Sequence, residues 1–220
     1  MKVITTIKGK LADPLYTFRL FERFIAAFCV LIPFILWLTD GSFPHSFRPS
    51  ISQYALMKNN YVFGMLLSIA ATLFIFNGAV YFNNKKYMHI SENGQWYNVI
   101  LGLSLIGVVC FPCCNCCLDP CKQHIAHYCT CRIMHFVFAG MFFIGNAFVT
   151  AFFHKDKDKI ISIILALLTI AALPFAIFNV ISLLAAEWIS LIVVSIHFIL
   201  STFNMDQQVN LKKTKVLLQR

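Results

Sequence analysis

The chain of 220 residues carries a formal net charge of +9, yet only 12% of its residues are charged and 59% are hydrophobic. Soluble globular domains carry about 25% charged residues, so this composition excludes an ordinary water-soluble fold. The twenty-three phenylalanines are spread along the whole sequence, which favours several membrane spans over a single anchor.

A basic segment, residues 1–23, precedes the first apolar run. A cleaved signal peptide is one interpretation of this region. However, the basic lead is long, and the sequence LWLTDGSFPHS at the end of the run lacks a small-residue cleavage site. We therefore predict that the first apolar run is a retained helix.

Long apolar runs, nearly free of charge and without the alternation of β-strands, follow along the chain. They predict an all-α membrane protein, a bundle of six transmembrane helices over residues 24–203, with a basic tail over residues 204–220. A tight turn near Asn179 separates the last two spans, and Pro174 is expected to end or kink the fifth helix. The predicted spans are 24–39, 61–82, 96–112, 133–153, 160–178 and 184–203.

Basic residues are distributed unequally between the two ends of the predicted bundle. Fourteen lie in the amino-terminal segment, the second and fourth loops and the tail, whereas four lie in the first and third loops. The positive-inside rule therefore places both termini in the cytoplasm and loops one, three and five on the opposite face. Orientation accounts for the net charge, and no basic run is interleaved with aromatic platforms, so no nucleic-acid partner is predicted.

Eight cysteines are concentrated in and around the third loop. On a non-cytoplasmic face the compartment is usually oxidising, which favours disulfides. Zinc is the alternative, because Cys113, Cys116, His124 and His127 lie at close spacing. S-acylation would require the opposite topology. No other metal or cofactor is predicted. The disulfide candidates are Cys110, Cys113, Cys114, Cys116, Cys117, Cys121, Cys129 and Cys131.

Polar residues inside the predicted spans are costly in hydrocarbon unless they face protein or water. On the sixth helix they recur at steps of three and four, which places them on one stripe. We expect hydrogen bonds between helices for most of them, and a partner or a functional role for the two ionisable ones, Glu187 and His197. The stripe residues are Glu187, Ser190, His197 and Ser201, together with Asn146 on the fourth helix and Asn77 on the second.

A candidate site follows from the predicted topology. Because the fourth and sixth helices both run inward from the non-cytoplasmic face, His135 and Glu187 are expected at similar depth near that face. Ser52 in the first loop lies on the same side, so the three are candidate catalytic residues. Arg48, in the same loop, is either a pairing partner of Glu187 or a solvated charge.

Four segments carry a resemblance to known sequences: SISQYALMKNNYVF, YNVILGLSLIGVVCFPC, IMHFVFAGMFF and EWISLIVVSIHFI. Together they resemble an uncharacterised family of small six-span membrane proteins, which is similar in layout to the DRAM-type six-span proteins. The resemblance implies a six-span fold. It also implies that the motif residues of this family correspond to Ser50, Ser52, Tyr54, His135 and Glu187.

Three classes of function remain open from the sequence. The first is a structural, regulatory or accessory-subunit protein of the plasma membrane or an endomembrane, with membrane lipids and other membrane protein subunits as partners. The second is a membrane-embedded hydrolase or lipid-modifying enzyme that uses Ser52, His135 and Glu187. The third is a small transporter or proton-coupled carrier. The sequence contains neither a G-x-S-x-G motif nor a P-loop, and we therefore place the non-enzymatic class first.

Overall fold

A computed structural model of the protein describes residues 14–41, 47–83, 97–112, 125–152 and 159–218. In this part of the chain all regular structure is helical. The elements are α1 (Pro14–Thr39), a short 3-10 helix (Ile51–Leu56), α2 (Asn60–Asn83), α3 (Tyr97–Cys110), α4 (Ile125–Phe152), α5 (Lys159–Ile177) and α6 (Leu183–Leu218).

Five helices within the described residues are long and apolar enough to cross a membrane. The remaining one, α3, has 14 residues and is therefore about 21 Å long, shorter than the ~30 Å hydrocarbon core of a bilayer. The prediction of an all-helical chain with several membrane-length helices is confirmed. The membrane-length stretches are Arg19–Thr39, Asn60–Ala79, Cys131–Ala151, Lys159–Ile177 and Leu183–Thr202.

Helix ends agree with the predicted spans where an apolar run stops at a turn, as for α2, α3 and α5. Elsewhere the helices are longer than the spans. Helix α1 begins at Pro14, ahead of residue 24, and α6 continues to Leu218, past residue 203. The prediction took charged residues as boundaries, but Lys, Arg and Glu are good helix formers and end only the apolar stretch.

The helices form a closed ring. Each helix packs against the next one in the chain, α6 returns to pack against α1, and α4 also touches α6. The interior holds large buried side chains such as Leu36, Phe74 and Phe198, whereas the outer surface exposes apolar ones such as Phe34 and Ile144. An apolar exterior fits a lipid environment, in which the bundle needs no polar surface around its sides.

The turn between α5 and α6 lies where the sequence predicts it. Asn179 has a φ of 58°, in the left-handed region that Asn tolerates better than most residues. The N–H of Asn179 donates to the Ala176 carbonyl at 3.1 Å, and that of Val180 donates to Phe175 at 2.8 Å. This is a Schellman motif. Pro174 does not end α5, which continues to Ile177.

Candidate functional site

A cavity of about 80 Å³ lies inside the ring, between α1, α2, α3, α4 and α6 and beside the 3-10 helix. Most of its lining is apolar, with Leu67 and Phe142 as examples. Three polar side chains also line it: Ser52 from the 3-10 helix, His135 from α4 and Glu187 from α6. The three residues that the sequence predicts on one face of the membrane therefore border one common space.

The 3-10 helix positions Ser52 through its amino-terminal cap. Ser50 is the cap residue, and its hydroxyl oxygen accepts the backbone N–H of Gln53 at 3.3 Å. The hydroxyl groups of Ser50 and Ser52 are 3.0 Å apart, within hydrogen-bond distance. Capping by serine is a local sequence preference, so this part of the site is built by residues close together in the chain.

Glu187 holds the first loop against α6. Its carboxyl group is buried and accepts the backbone N–H of Ile51, the first residue of the 3-10 helix. Nearby, the N–H of Leu184 donates to the carbonyl of Pro49 at 3.0 Å. Each contact satisfies a backbone donor in the first turn of a helix, where no partner exists within the helix itself.

His135 connects α4 to the end of α3. Its ring nitrogen Nδ1 lies 2.8 Å from the carbonyl oxygen of Phe111, just beyond the last residue of α3. Since a carbonyl can only accept, Nδ1 carries the proton, and in the neutral ring Nε2 is then left as an acceptor. The side chain is almost completely buried. The cavity is thus bordered by a histidine with a defined tautomer.

The three polar residues are not joined to one another. Within the described part of the chain no hydrogen bond links any two of Ser52, His135 and Glu187, whose partners are Ser50, Phe111 and Ile51. They form three separate polar positions around an apolar space rather than an assembled catalytic triad. Their catalytic assignment stays a prediction.

Arg48 is buried and pairs with Asp40, so both alternatives that the sequence left open, a pairing with Glu187 and a solvated charge, are wrong. Its Nε lies 2.5 Å from Asp40 Oδ2, and its Nη2 lies 3.2 Å from Oδ1. Asp40 follows directly after α1, eight positions before Arg48, so the pair is formed across the first loop. The guanidinium lies over the ring of Tyr54, 5.8 Å from its centroid. Burial raises the pKa of Tyr54, which keeps the phenol neutral.

The predicted polar stripe faces the interior of the ring. Ser190, His197, Asn146 and Asn77 are buried. Two of the expected interhelical bonds are instead made within single helices: Ser190 donates to Ala186 at 2.9 Å, and Asn146 to Phe142 at 2.8 Å. Polar side chains in a helix can reach the carbonyl four residues earlier, which removes the need for a partner on another helix. Transport along the stripe stays a prediction.

Two stripe residues do bond between helices, and neither of their partners was predicted from the sequence. Asn77 of α2 accepts from Asn98 of α3 at 2.5 Å. Ser201 of α6 donates to Glu22 of α1 at 2.9 Å, and Thr202 donates to the same carboxyl group at 3.0 Å. Glu22 was missed because the first span was predicted to begin at residue 24.

The cysteine-rich loop falls mostly outside the described residues, which exclude Cys113, Cys114, Cys116, Cys117, Cys121 and His124 and the side chains of His127 and Cys129. Three cysteine side chains are described: Cys29, Cys110 and Cys131. No disulfide joins any two of these three. Among the described side chains, no cluster of three or more His, Cys, Asp or Glu residues could hold a metal ion. Disulfides and zinc in this loop therefore stay predictions.

In the described residues, fold and site together define a helical protein whose membrane-length helices surround a cavity bordered by three polar side chains. The chain belongs to a family of unknown function, DUF7103, whose model matches residues 31–119 and 122–202. The matched residues include Ser52, His135 and Glu187 but not Glu22. No curated protein and no solved structure matches the chain. Membership of an uncharacterised family is thereby confirmed, while the likeness to DRAM-type proteins stays a prediction.

Proposed function

We propose that this protein is a six-span regulatory or accessory membrane protein whose central cavity binds the alkyl part of an amphiphile. The observation that carries the proposal is the cavity itself, which is apolar along most of its wall and has Ser52, His135 and Glu187 as its polar positions. An apolar pocket with a few polar groups is the usual form of a small-molecule site. Membrane lipids are the nearest source of such ligands.

The six-span topology draws support from contacts along α3. Asn98, near its beginning, bonds to Asn77 of α2, while Phe111, beyond its end, bonds to His135 of α4. A helix held at both ends between two membrane-length neighbours favours a sixth crossing, although α3 is short. Six crossings with the observed excess of basic residues put both termini in the cytoplasm. A plasma membrane or endomembrane protein with the cavity at its non-cytoplasmic end fits this orientation.

A regulatory role fits the way the cavity is connected to its loops. The first loop borders the cavity and is held by Glu187 on one side and by the Asp40–Arg48 pair on the other. The third loop follows Phe111, which His135 holds. An occupant that shifts both Glu187 and His135 would therefore alter two loops at once. We propose that these loops, the third one stapled by disulfides, present the altered surface to another membrane subunit.

The test is the retention of bound amphiphile by purified protein with an open or a filled cavity. Ala139 lines the cavity, whereas Ala151, also half-buried on α4, does not. Lipid extraction and mass spectrometry should find an amphiphile on the wild type and on Ala151→Leu, and much less on Ala139→Leu. Equal retention by both variants, or no amphiphile on the wild type, would refute the proposal.

A hydrolase is the second candidate, because Ser52 and His135 line the same cavity and His135 leaves Nε2 as an acceptor, the form that a general base needs. A fluorophosphonate that labels activated serines distinguishes the two candidates. The regulatory proposal predicts no labelling of Ser52. Labelling at Ser52 that is lost in His135→Phe, but retained in the Ala151→Leu control, would replace it with the hydrolase.

A further inference from the structure

We infer that the amphiphile in this cavity is a single-chain molecule whose polar end is a hydrogen-bond donor, such as an alcohol, and is not an acid. The inference rests on the proposed function and adds to it the chemical class of the ligand. It follows from two features of the cavity, namely the dimensions of its apolar wall and the hydrogen-bonding character of its polar positions.

The apolar wall fits part of one alkyl chain. On α2 the lining residues run from Phe63 to Phe74, a separation of about 16 Å along the helix. The cavity volume is only about 80 Å³, roughly half that of an engineered round cavity of ~150 Å³ that binds benzene. A long wall with a small volume describes a narrow space, which takes part of one unbranched chain and has no room for a fused-ring or two-chain lipid.

The polar positions are rich in acceptors. Nδ1 of His135 is occupied by the Phe111 carbonyl, which leaves Nε2 to accept. Glu187 adds a carboxyl group, one oxygen of which already accepts the Ile51 N–H. A ligand hydroxyl can donate to either residue. A buried donor that finds an acceptor avoids the desolvation cost of about 1–3 kcal/mol that an unsatisfied one incurs.

A ligand carboxylate or phosphate would find no cationic partner in the described lining of the cavity. No Lys or Arg occurs among the described residues that line the cavity, and the nearby guanidinium of Arg48 is engaged by Asp40. A buried anion without a cationic partner carries a large desolvation cost. The cavity therefore discriminates against fatty acids and in favour of alcohols of the same chain length.

The test uses a matched pair of photoreactive ligands, a diazirine-bearing dodecanol and the corresponding dodecanoic acid, on the purified full-length protein in detergent. The fraction of labelled protein is read by intact mass. We expect the alcohol to label at least about tenfold more protein than the acid, which corresponds to 1.4 kcal/mol of binding free energy. Unlabelled dodecanol should compete with the alcohol probe, and Ala151→Leu should behave as the wild type.

Two variants separate the parts of the proposal. His135→Phe should remove most of the preference for the alcohol. If His135→Phe fails to fold, the same preference is measured on Glu187→Gln. Equal or stronger labelling by the acid, still blocked in Ala139→Leu, would overturn the ligand class and leave the proposed function intact. Absence of labelling, or labelling by either ligand that Ala139→Leu does not reduce, would overturn the proposed function as well.

Discussion

The carboxyl group of Glu187 on α6 accepts the backbone N–H of Ile51, a residue 136 positions earlier in the chain. This contact ties the first loop to the beginning of the last helix. The bond between Leu184 and Pro49 lies beside it, so two hydrogen bonds fix the same junction. The junction borders the cavity, and its stability decides whether the 3-10 helix keeps Ser52 in place.

Replacing Glu187 tests this junction. Glu187→Gln keeps a side-chain oxygen that can accept from Ile51, and we expect little change in the free energy of unfolding. Glu187→Leu leaves that N–H buried without its acceptor, which costs about 1–3 kcal/mol. Unfolding of the two variants in the same detergent measures the difference. Equal stability of Gln and Leu variants would mean that the hydrogen bond contributes nothing.

The Asp40–Arg48 pair predicts that the effects of substituting its two members on the free energy of unfolding are not additive. The two side chains are 1% and 7% exposed, so removing one leaves the other charge buried without its principal partner, at a cost of about 3–5 kcal/mol. Arg48→Met and Asp40→Leu should each destabilise the protein strongly, and the double variant should be less destabilised than the sum. Additive losses in a double-mutant cycle would contradict the pairing.

Close packing between α2 and α3 predicts different outcomes at two glycines. A Cβ atom at Gly102 would lie 2.6 Å from the Ala71 carbonyl oxygen, whereas one at Gly64 would lie 3.9 Å from its nearest neighbour, Val109. Gly102→Ala should cost about 1–3 kcal/mol through overpacking. Gly64→Ala should be neutral or slightly stabilising, because Ala favours helix more than Gly does. Thermal unfolding that ranks the two in the opposite order would refute the packing.

Tyr54 predicts sensitivity to alkaline pH. Burial raises its pKa in the folded state above the unfolded value of about 10, so the neutral phenol favours folding below that pH. As pH rises above about 10, the unfolded chain loses the proton first and stability falls. Tyr54→Phe keeps the ring over Arg48 and has no proton to lose. The melting temperature of the wild type relative to that of the variant should therefore fall as pH rises above about 10, and a constant difference across pH would contradict this account.

Much of the fold could be predicted because lipid imposes simple rules. Apolar runs interrupted by loops predicted the positions of α2, α3 and α5, and the run over residues 160–203 had to turn near Asn179, where a left-handed residue is found. The ends of α1 and α6 were not predictable in the same way. The charged turns at the start of α1 and the end of α6 are helical although they lie outside the apolar stretch. A rule that ends a helix at the first charged residue therefore stops too early.

The grouping of Ser52, His135 and Glu187 was predictable from helix direction alone, since alternate helices bring equivalent ends to one face. Their individual partners were not. The choice of Asp40 over Glu187 by Arg48 depends on distances across a loop, and the serine and histidine partners include a neighbouring hydroxyl and a backbone carbonyl. Backbone partners carry no signature in the residue types, so a sequence pattern predicts the members of a site more readily than its hydrogen bonds.

The central claim, that this cavity holds an amphiphile, is tested most directly by locating the cross-links formed by photoreactive dodecanol. Peptide mass spectrometry of the labelled full-length protein assigns the modified residues. Our account predicts cross-links to side chains of the cavity wall, such as Cys29, Leu67 and Phe142. Cross-links confined to the exposed outer surface, at residues such as Ile69, Ile144 and Leu167, would contradict it.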